Sequence, residues 1–230
     1  QSLPGLPAHL YDLFPDRLVD SELGKIPEGW EVVPLAELLE VDPPRALQKG
    51  VVAPYLDMAS VPVQGHVPLK VIERPFGSGA RFINGDTLLA RLASCLEKGK
   101  IAYVDFLPDG QVGWGSTEFI VLRPKPPLPT EFAYCIARSE EFREYAVKNA
   151  TGTTRQRVHV EALKSLRLVR PATKVVLAFG KIAGPLFAKA RKAADESHTL
   201  AALRDALLPK LIRGEIRVKD AERFLKERGL

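Results

Sequence analysis

The chain has 230 residues, 46% of them hydrophobic and 27% charged, and a formal net charge of +5. These proportions predict a soluble protein with one core of about 150 residues plus an appendage. No apolar run approaches the roughly 20 residues that a membrane span needs, so we expect no membrane partner. Cys95 and Cys135 stand alone, which predicts buried, reduced thiols in a cytoplasmic protein rather than a disulfide or a metal site.

The first part of the chain predicts an extended lead-in followed by a short edge strand. Residues 1–28 are polar and rich in proline. Gly29–Leu35 has the pattern of a strand, and Pro34 favours a sheet edge because proline donates no hydrogen bond to a ladder. A helical turn over Ala36–Leu39 follows.

The middle of the chain predicts strands separated by turns. Turn-forming residues occur at 84–86 and at 108–110. The clearest strand is Glu118–Leu122, within the last of four predicted strand regions. These regions are Val51–Ala59, Arg81–Arg91, Lys100–Leu107 and Val112–Arg123.

A helix, a loop and a final strand complete this region. Pro124–Pro129 predicts a rigid linker, and Thr130 a helix N-cap for a helix from Glu131 to about Lys148. The loop Ala150–Arg157 then leads towards a final strand at Ser165–Val169.

One long helix is predicted from Thr173 to about Arg213, and it is about 60 Å long at 1.5 Å per residue. Its apolar residues recur at steps of three and four, which predicts a seam that packs lengthwise on another helix. Pro209 predicts a kink because it removes one backbone hydrogen bond. The seam residues are Phe179, Ile182, Leu186, Ala193, Leu200, Leu203, Leu207 and Leu211.

Together these elements predict an α+β fold in three parts. Residues 1–171 form a globular head with a mixed sheet, residues 172–214 the long coiled-coil helix, and residues 215–230 a tail. The positive charge is unevenly spread over them. Residues 1–147 carry 14 basic against 20 acidic residues, residues 148–170 six against one, and residues 171–230 thirteen against seven. The segment 148–170 is thus where an anionic partner is favoured.

Catalytic signatures are incomplete, so we predict no enzyme, no catalytic residue, no cofactor and no metal. The motif at residues 42–45 resembles the DPPY motif of amino-methyltransferases, but Arg45 replaces the aromatic residue. The glycine-rich stretch 76–79 lacks the strand and helix that a dinucleotide site requires. The four histidines are scattered.

Three blocks resemble the DNA specificity subunit of type I restriction–modification systems, and the resemblance spans nearly the whole chain. The second block is similar to one common type of target recognition domain in that family. The blocks are Ser21–Val32; Gly85–Arg91 with Cys95–Lys100 and Gly115–Pro124; and Leu207–Ile216.

This resemblance implies a non-catalytic adaptor. Full-length specificity subunits carry two recognition domains, each followed by a long helix, and each domain reads one half of a split DNA target. The helices pair and set the gap, and the subunit recruits methyltransferase subunits and, through them, endonuclease subunits. This chain has one domain and one helix, so we expect either a half-length subunit or the C-terminal half of a longer one.

An exposed apolar seam requires a partner. The simplest is the same helix of a second copy in an antiparallel homodimer, which would read an interrupted inverted repeat. The alternative is that the helix folds back on its own head. Two other functions stay open: the recognition end of a single-chain restriction–methylation enzyme, and a coiled-coil scaffold whose head binds protein.

For DNA contact we predict first the loop formed by Thr151, Gly152, Thr153, Thr154, Arg155, Gln156 and Arg157. Hydroxyls and a glycine suit phosphate oxygens, while arginine and glutamine can bond base edges. The family carries a similar loop before the last strand of the domain. Ordinary surface ion pairs are the alternative for the two arginines. Further candidates are Lys98, Lys100, Gln111 and Trp114, the last either a stacking residue or a core anchor.

Overall fold

The structure is a computed structural model that describes residues 7–217. The chain divides into two compact units, Gln1–Pro185 and Leu186–Leu230. The first unit holds all the strands that are described, and the described part of the second is the end of a long helix. The first six and the last thirteen residues, including most of the predicted tail, lie outside the described range.

The lead-in is more structured than the sequence predicts. A 3-10 helix spans Ala8–Leu13, and β1 (Leu18–Ser21) pairs with β2 (Gly24–Pro27) as an antiparallel hairpin. Gly24 adopts φ +92°, in the left-handed region that a tight turn requires. Leu18 and Leu23 are each about half exposed. Because the hairpin buries few apolar side chains, its sequence lacks the apolar alternation that predicts a strand.

The predicted edge strand and helical turn are present. They form β3 (Glu31–Pro34) and α1 (Leu35–Leu38), and the chain continues into β4 (Leu39–Val41). Leu35 and Leu38 are buried and hold α1 against the core. The central elements follow: β5 (Val52–Leu56), β6 (Ile72–Pro75), β7 (Ala80–Phe82), β8 (Thr87–Ala90), α2 (Ala93–Glu97), β9 (Ile101–Tyr103), β10 (Gly113–Gly115) and β11 (Phe119–Pro124).

The single helix predicted over residues 131–148 is two helices. α3 (Glu131–Arg138) and α4 (Glu140–Lys148) are separated at Ser139, whose extended backbone ends α3. The Ser139 hydroxyl accepts a hydrogen bond from the Phe142 amide at 3.2 Å and caps α4. Thr130 is the N-cap residue of α3, as predicted, but its hydroxyl caps no backbone amide and lies 2.7 Å from the Tyr103 hydroxyl.

The remaining elements are β12 (Ala150–Thr151), β13 (Arg157–Val158), α5 (Val160–Ser165), β14 (Arg167–Arg170) and α6 (Thr173–Ile212). One four-stranded sheet has the order β6-β5-β10-β7, and the other has the order β4-β11-β8-β9. β10 is parallel to β5, whereas the other pairs are antiparallel. The predicted α+β fold with mixed sheets and a long C-terminal helix is therefore confirmed.

The core fills the space between these two sheets. β10 and β11 are consecutive in the chain, yet β10 belongs to the first sheet and β11 to the second. Their flanking side chains bury a common apolar cluster, which consists of Leu56, Val61, Phe82, Leu88, Ala102, Val104, Leu107, Phe119 and Val121. The two cysteines differ from the prediction: both are free, but Cys95 is half-buried and Cys135 is exposed.

The start of α6 packs on the first unit. Val176 and Ala183 are buried, and the Phe179 ring lies 6.3 Å from that of Phe132. Phe179 therefore packs within its own domain, which corrects its assignment to the intermolecular seam. In the second unit the helix continues to Ile212 and passes Pro209.

A buried ion pair joins the residue that precedes β8 to strand β11. Asp86, whose side chain is fully buried, accepts from Arg123 Nε at 2.5 Å and from the Ile83 amide at 2.8 Å. Burial raises the pKa of Asp86, and the hydrogen bond and charge of Arg123 oppose that rise.

Replacing Arg123 with methionine should cost about 3–5 kcal/mol of unfolding free energy, because Asp86 loses its hydrogen-bonded cation and keeps only Arg45, whose Nη2 lies 3.7 Å from Oδ1. Because the pKa of Asp86 is higher in the folded than in the unfolded state, its contribution to stability is present at low pH and is lost as pH rises through the folded pKa. Without Arg123 this pH-dependent loss of stability becomes larger. In urea unfolding, the stability of the variant should therefore fall below that of the wild type by less at pH 5 than at pH 7.5.

The matched control is Arg167→Met, which removes a half-exposed pair with Glu22 and should cost no more than about 1 kcal/mol. Equal, pH-independent losses in both variants would contradict the assignment.

Candidate nucleic-acid interface

The predicted DNA-contact loop is the tip of a small hairpin. β12 pairs with β13 so that Thr151 lies opposite Arg157, and residues 152–156 connect them. Residues 151–157 are all exposed. Gly152 adopts φ +126°, and a Cβ there would lie 2.8 Å from the Arg155 carbonyl oxygen. Only glycine fits this tight turn.

The hairpin is anchored to the second sheet and to α2. The Val158 amide donates to the Arg91 carbonyl at 2.9 Å, and the Ala93 amide donates to the Gln156 carbonyl at 3.0 Å. These bonds come from the end of β8 and the start of α2. The loop is therefore held on a rigid base while its side chains remain in solvent.

The two arginines of the loop have different roles. Arg157 makes a bidentate pair with Glu118, with Nε 3.0 Å from Oε2 and Nη2 2.6 Å from Oε1. This hydrogen bonding lowers the pKa of Glu118 and raises that of Arg157. Arg155 makes no ion pair within residues 7–217. The surface ion-pair alternative thus holds for Arg157, whereas Arg155 has no carboxylate partner among the described residues.

A polar cavity of about 580 Å³ lies beside the loop. Its walls come from α2 and from the loop: Leu92, Ala93, Ser94 and Glu97 on one side, and Thr153, Thr154, Arg155 and Gln156 on the other. The structure thus brings four of the seven predicted loop residues to one concave surface.

The other candidates lie elsewhere. Lys98 is exposed at the end of α2, and Gln111 is exposed between β9 and β10. Lys100 is half-buried and donates from Nζ to the Met58 carbonyl at 2.6 Å. Trp114 is only 4% exposed, and its indole N–H donates to the Arg74 carbonyl at 3.2 Å. Of the two alternatives for Trp114, the structure therefore has the core anchor and not the stacking residue.

The basic segment 148–170 is largely neutralised in the fold. Lys164 pairs with Glu161, Arg167 with Glu22, and Arg170 with both Glu31 and Glu37. The pairs of Arg167 and Arg170 hold β14 beside β3 and the β1–β2 hairpin. Because these ion pairs stabilise the fold, fewer positive charges are available to an anion than the sequence of the segment suggests.

Two further cavities flank the turn between β10 and β11, and neither was among the predicted sites. One has a volume of about 270 Å³ and is lined in part by Arg81, Arg91 and Thr117. The other has about 360 Å³ and is lined in part by Arg74, Ser78 and Thr117. The glycine-rich stretch 76–79 borders both, and it is the signal that could have located them.

The seam residues of α6 are distributed unevenly. Leu186 is 61% and Leu200 is 65% exposed, and Ile182 and Ala193 are exposed as well. Leu203, Leu207 and Leu211 are half-buried. Within the residues described, no cluster of side chains could hold a metal ion. Over the same range, no helix combines the length and apolar character needed to cross a bilayer.

Comparison with known proteins relates both the domain and the helix to one class of protein. No family model matches the chain. The chain is 25% identical over 214 residues to the type I restriction enzyme MjaIX specificity subunit of Methanocaldococcus jannaschii, which covers 87% of this chain and 48% of that protein. The chain thus spans about half the length of this curated relative.

Two solved structures have the same fold. The HsdS subunit of Thermoanaerobacter tengcongensis is 19% identical with a TM-score of 0.57, covering 84% of this chain and 50% of that one. The S subunit of a type I restriction-modification system from M. genitalium is 18% identical with a TM-score of 0.55, covering 86% and 48%. The resemblance predicted from the three sequence blocks is confirmed.

Gly152→Ala should loosen the loop, because the added Cβ meets backbone and the φ is unfavourable, at a local cost of about 1–3 kcal/mol. Hydrogen exchange of the Val158 amide should accelerate by about fivefold or more. Gly110→Ala is the control: it shares a positive φ of +73° but has open space around the new Cβ. Unchanged exchange at Val158 in Gly152→Ala would contradict this account of the turn.

Proposed function

We propose that this chain is a non-catalytic, DNA-reading specificity subunit of a type I restriction–modification complex, and that its domain reads one half of a split target. The observation that carries the proposal is the anchored, exposed loop 151–157 with Arg155 unpaired by any described carboxylate. The sequence similarity to a named specificity subunit supports it.

The chemistry of the loop suits duplex DNA. Threonine hydroxyls and backbone amides beside a glycine are partners for phosphate oxygens. The side chains of Arg155 and Gln156 can each make two hydrogen bonds to a base edge, to guanine and adenine respectively. The anchoring bonds use the backbone of Gln156 and leave its side chain in solvent. Arg157, which is paired with Glu118, holds the base of the loop in place.

Arg155→Ala should weaken binding to a duplex and reduce the slope of log affinity against log salt by about 0.9 if it contacts one phosphate. Fluorescence anisotropy at several KCl concentrations measures both effects. Lys164→Gln, which also removes one positive charge from the segment 148–170, is the control and should leave the slope unchanged. An unaltered slope for Arg155→Ala would rule the loop out as the phosphate contact.

We propose further that α6 pairs with the same helix of a second copy. Leu186, Ala193 and Leu200 are spaced by seven residues, the repeat of a two-helix seam, and all are exposed. Burying a large apolar side chain gains about 1.5–3 kcal/mol, so pairing is favoured. A two-fold dimer would present two identical readers and would select an interrupted inverted repeat.

Light scattering should give twice the chain mass for the wild type, and the mass of one chain for Leu186→Glu with Leu200→Glu. Leu69→Glu is the matched control, because Leu69 is 65% exposed but lies in the first unit, and it should remain dimeric. A wild type that is monomeric at micromolar concentration would overturn the homodimer, and it would leave the DNA-reading proposal to its own test.

The expected partners are the methyltransferase subunits and, through them, the endonuclease subunits. The helix end Leu207–Glu215 resembles the family segment that borders the methyltransferase contact. A dimer that captures two methyltransferase subunits in the same light-scattering experiment would support this assembly. Failure to capture any would favour the protein-binding scaffold.

A further inference from the structure

The turn 115–118, between β10 and β11, lies at the centre of an arginine-rich surface. Thr117 lines the cavities on both sides of it. The Glu118 amide donates to the Ser116 hydroxyl at 3.1 Å, and the Arg91 amide donates to the Glu118 carbonyl at 2.7 Å. The turn is thus fixed to the end of β8, next to the base of the loop 151–157.

Arg74 is held on one side of this turn without a carboxylate. Its guanidinium carbon lies 5.0 Å from the Tyr55 ring centroid and 5.7 Å from that of Trp114. Stacking on aromatic faces orients a guanidinium while leaving its N–H donors in the plane available. Arg74 is exposed and has no ion pair within the described chain.

Arg81 occupies the other side in the same manner. Its guanidinium carbon lies 5.9 Å from the Phe76 ring centroid, and its side chain lines the 270 Å³ cavity. No carboxylate among the described residues pairs with it. A guanidinium that packs on an aromatic ring, and not against a carboxylate, has no neighbouring negative charge to offset its own. It can therefore attract an anionic ligand.

The glycine-rich stretch brings hydroxyls between these arginines. Gly79 adopts φ +145°, and a Cβ there would lie 1.9 Å from the Gly115 carbonyl oxygen. The close approach of the two backbones places Ser78 and Thr117 on the walls of the 360 Å³ cavity, together with Gly77. Exposed hydroxyls and loop amides are common phosphate partners.

The surface is continuous with the loop and carries a net positive charge. Arg91 pairs with Asp42 at 3.2 Å, and the charges of Arg91, Arg155 and Arg157 all lower the pKa of Glu118. We call the five residues Arg74, Arg81, Arg91, Arg155 and Arg157 the arginine track. Five arginines against three carboxylates, Asp42, Glu97 and Glu118, leave an excess of two positive charges. Residues 1–147 as a whole carry an excess of six negative charges, so this surface stands out.

We infer that the arginine track is a single contact surface for duplex DNA, in which Arg74 and Arg81 bind backbone phosphates beyond the loop. The inference rests on the proposed function and extends it from one loop to a second segment of the domain. Arg91 and Arg157 are positioning residues, since Asp42 and Glu118 engage them. Continuity with the loop favours a duplex over an acidic protein segment as the occupant.

The test uses the full chain and a 40-base-pair duplex of randomised sequence, with binding followed by anisotropy across a KCl series. Arg74→Gln with Arg81→Gln should flatten the salt slope by about 1.8, from about 0.9 per phosphate contact. Arg74→Lys with Arg81→Lys should restore most of the slope, which a purely structural role would not do. Lys148→Gln with Lys164→Gln removes two charges outside all three cavities and should leave the slope unchanged.

The outcomes separate the two proposals. If Arg155→Ala flattens the slope but the double glutamine variant keeps that of the wild type, the inference is overturned and the proposed function stands. If wild-type protein fails to bind the duplex at any salt concentration, the proposed function falls and the inference with it. If a polyglutamate peptide competes as well as unlabelled duplex, the surface is a protein-binding one and the inference is overturned.

Discussion

The first unit depends on the passage of one segment through both of its four-stranded sheets. Residues 113–124 form β10 in the middle of the first four-stranded sheet and β11 in the middle of the second. The turn between them cannot move without disturbing the strands on either side. The candidate interface is thus anchored to both sheets although it is built from loops. Glu118, at the end of the turn, forms an ion pair with Arg157. Thr117 lies between the 270 Å³ and 360 Å³ cavities and lines both of them.

Elements with an uninterrupted pattern could be predicted from the sequence. The strand around Glu118–Leu122 was predicted correctly because β11 is almost entirely buried. The long helix was predicted correctly from the regular spacing of its apolar residues, although only Val176 and Ala183 are buried. The break at Ser139 was missed because apolar residues continue on both sides of it. The charge of the segment 148–170 was misjudged for a different reason: Arg167 and Arg170 bond to Glu22 and Glu37, which lie 145 and 133 positions earlier.

The candidate site was predictable only in part. A glycine among threonines and arginines predicts the loop 151–157, because such a composition has no place in a core. The division of labour between Arg155 and Arg157 depends on Glu118, and no local pattern reveals it. Arg74 and Arg81 occur singly in short strands, where arginine is unremarkable. Their significance comes from the rings of Tyr55, Phe76 and Trp114, which the fold brings next to them.

The pairing of β3 with β14 reaches beyond the stability of the domain. Glu31 lies opposite Arg170 and Pro34 opposite Arg167, so the segment from β3 to β14 begins and ends on adjacent antiparallel strands. Domains whose ends lie close together tolerate insertion and circular permutation. The segment from β3 to β14 can therefore be replaced as one piece, because both of its ends lie side by side in the same two-stranded sheet.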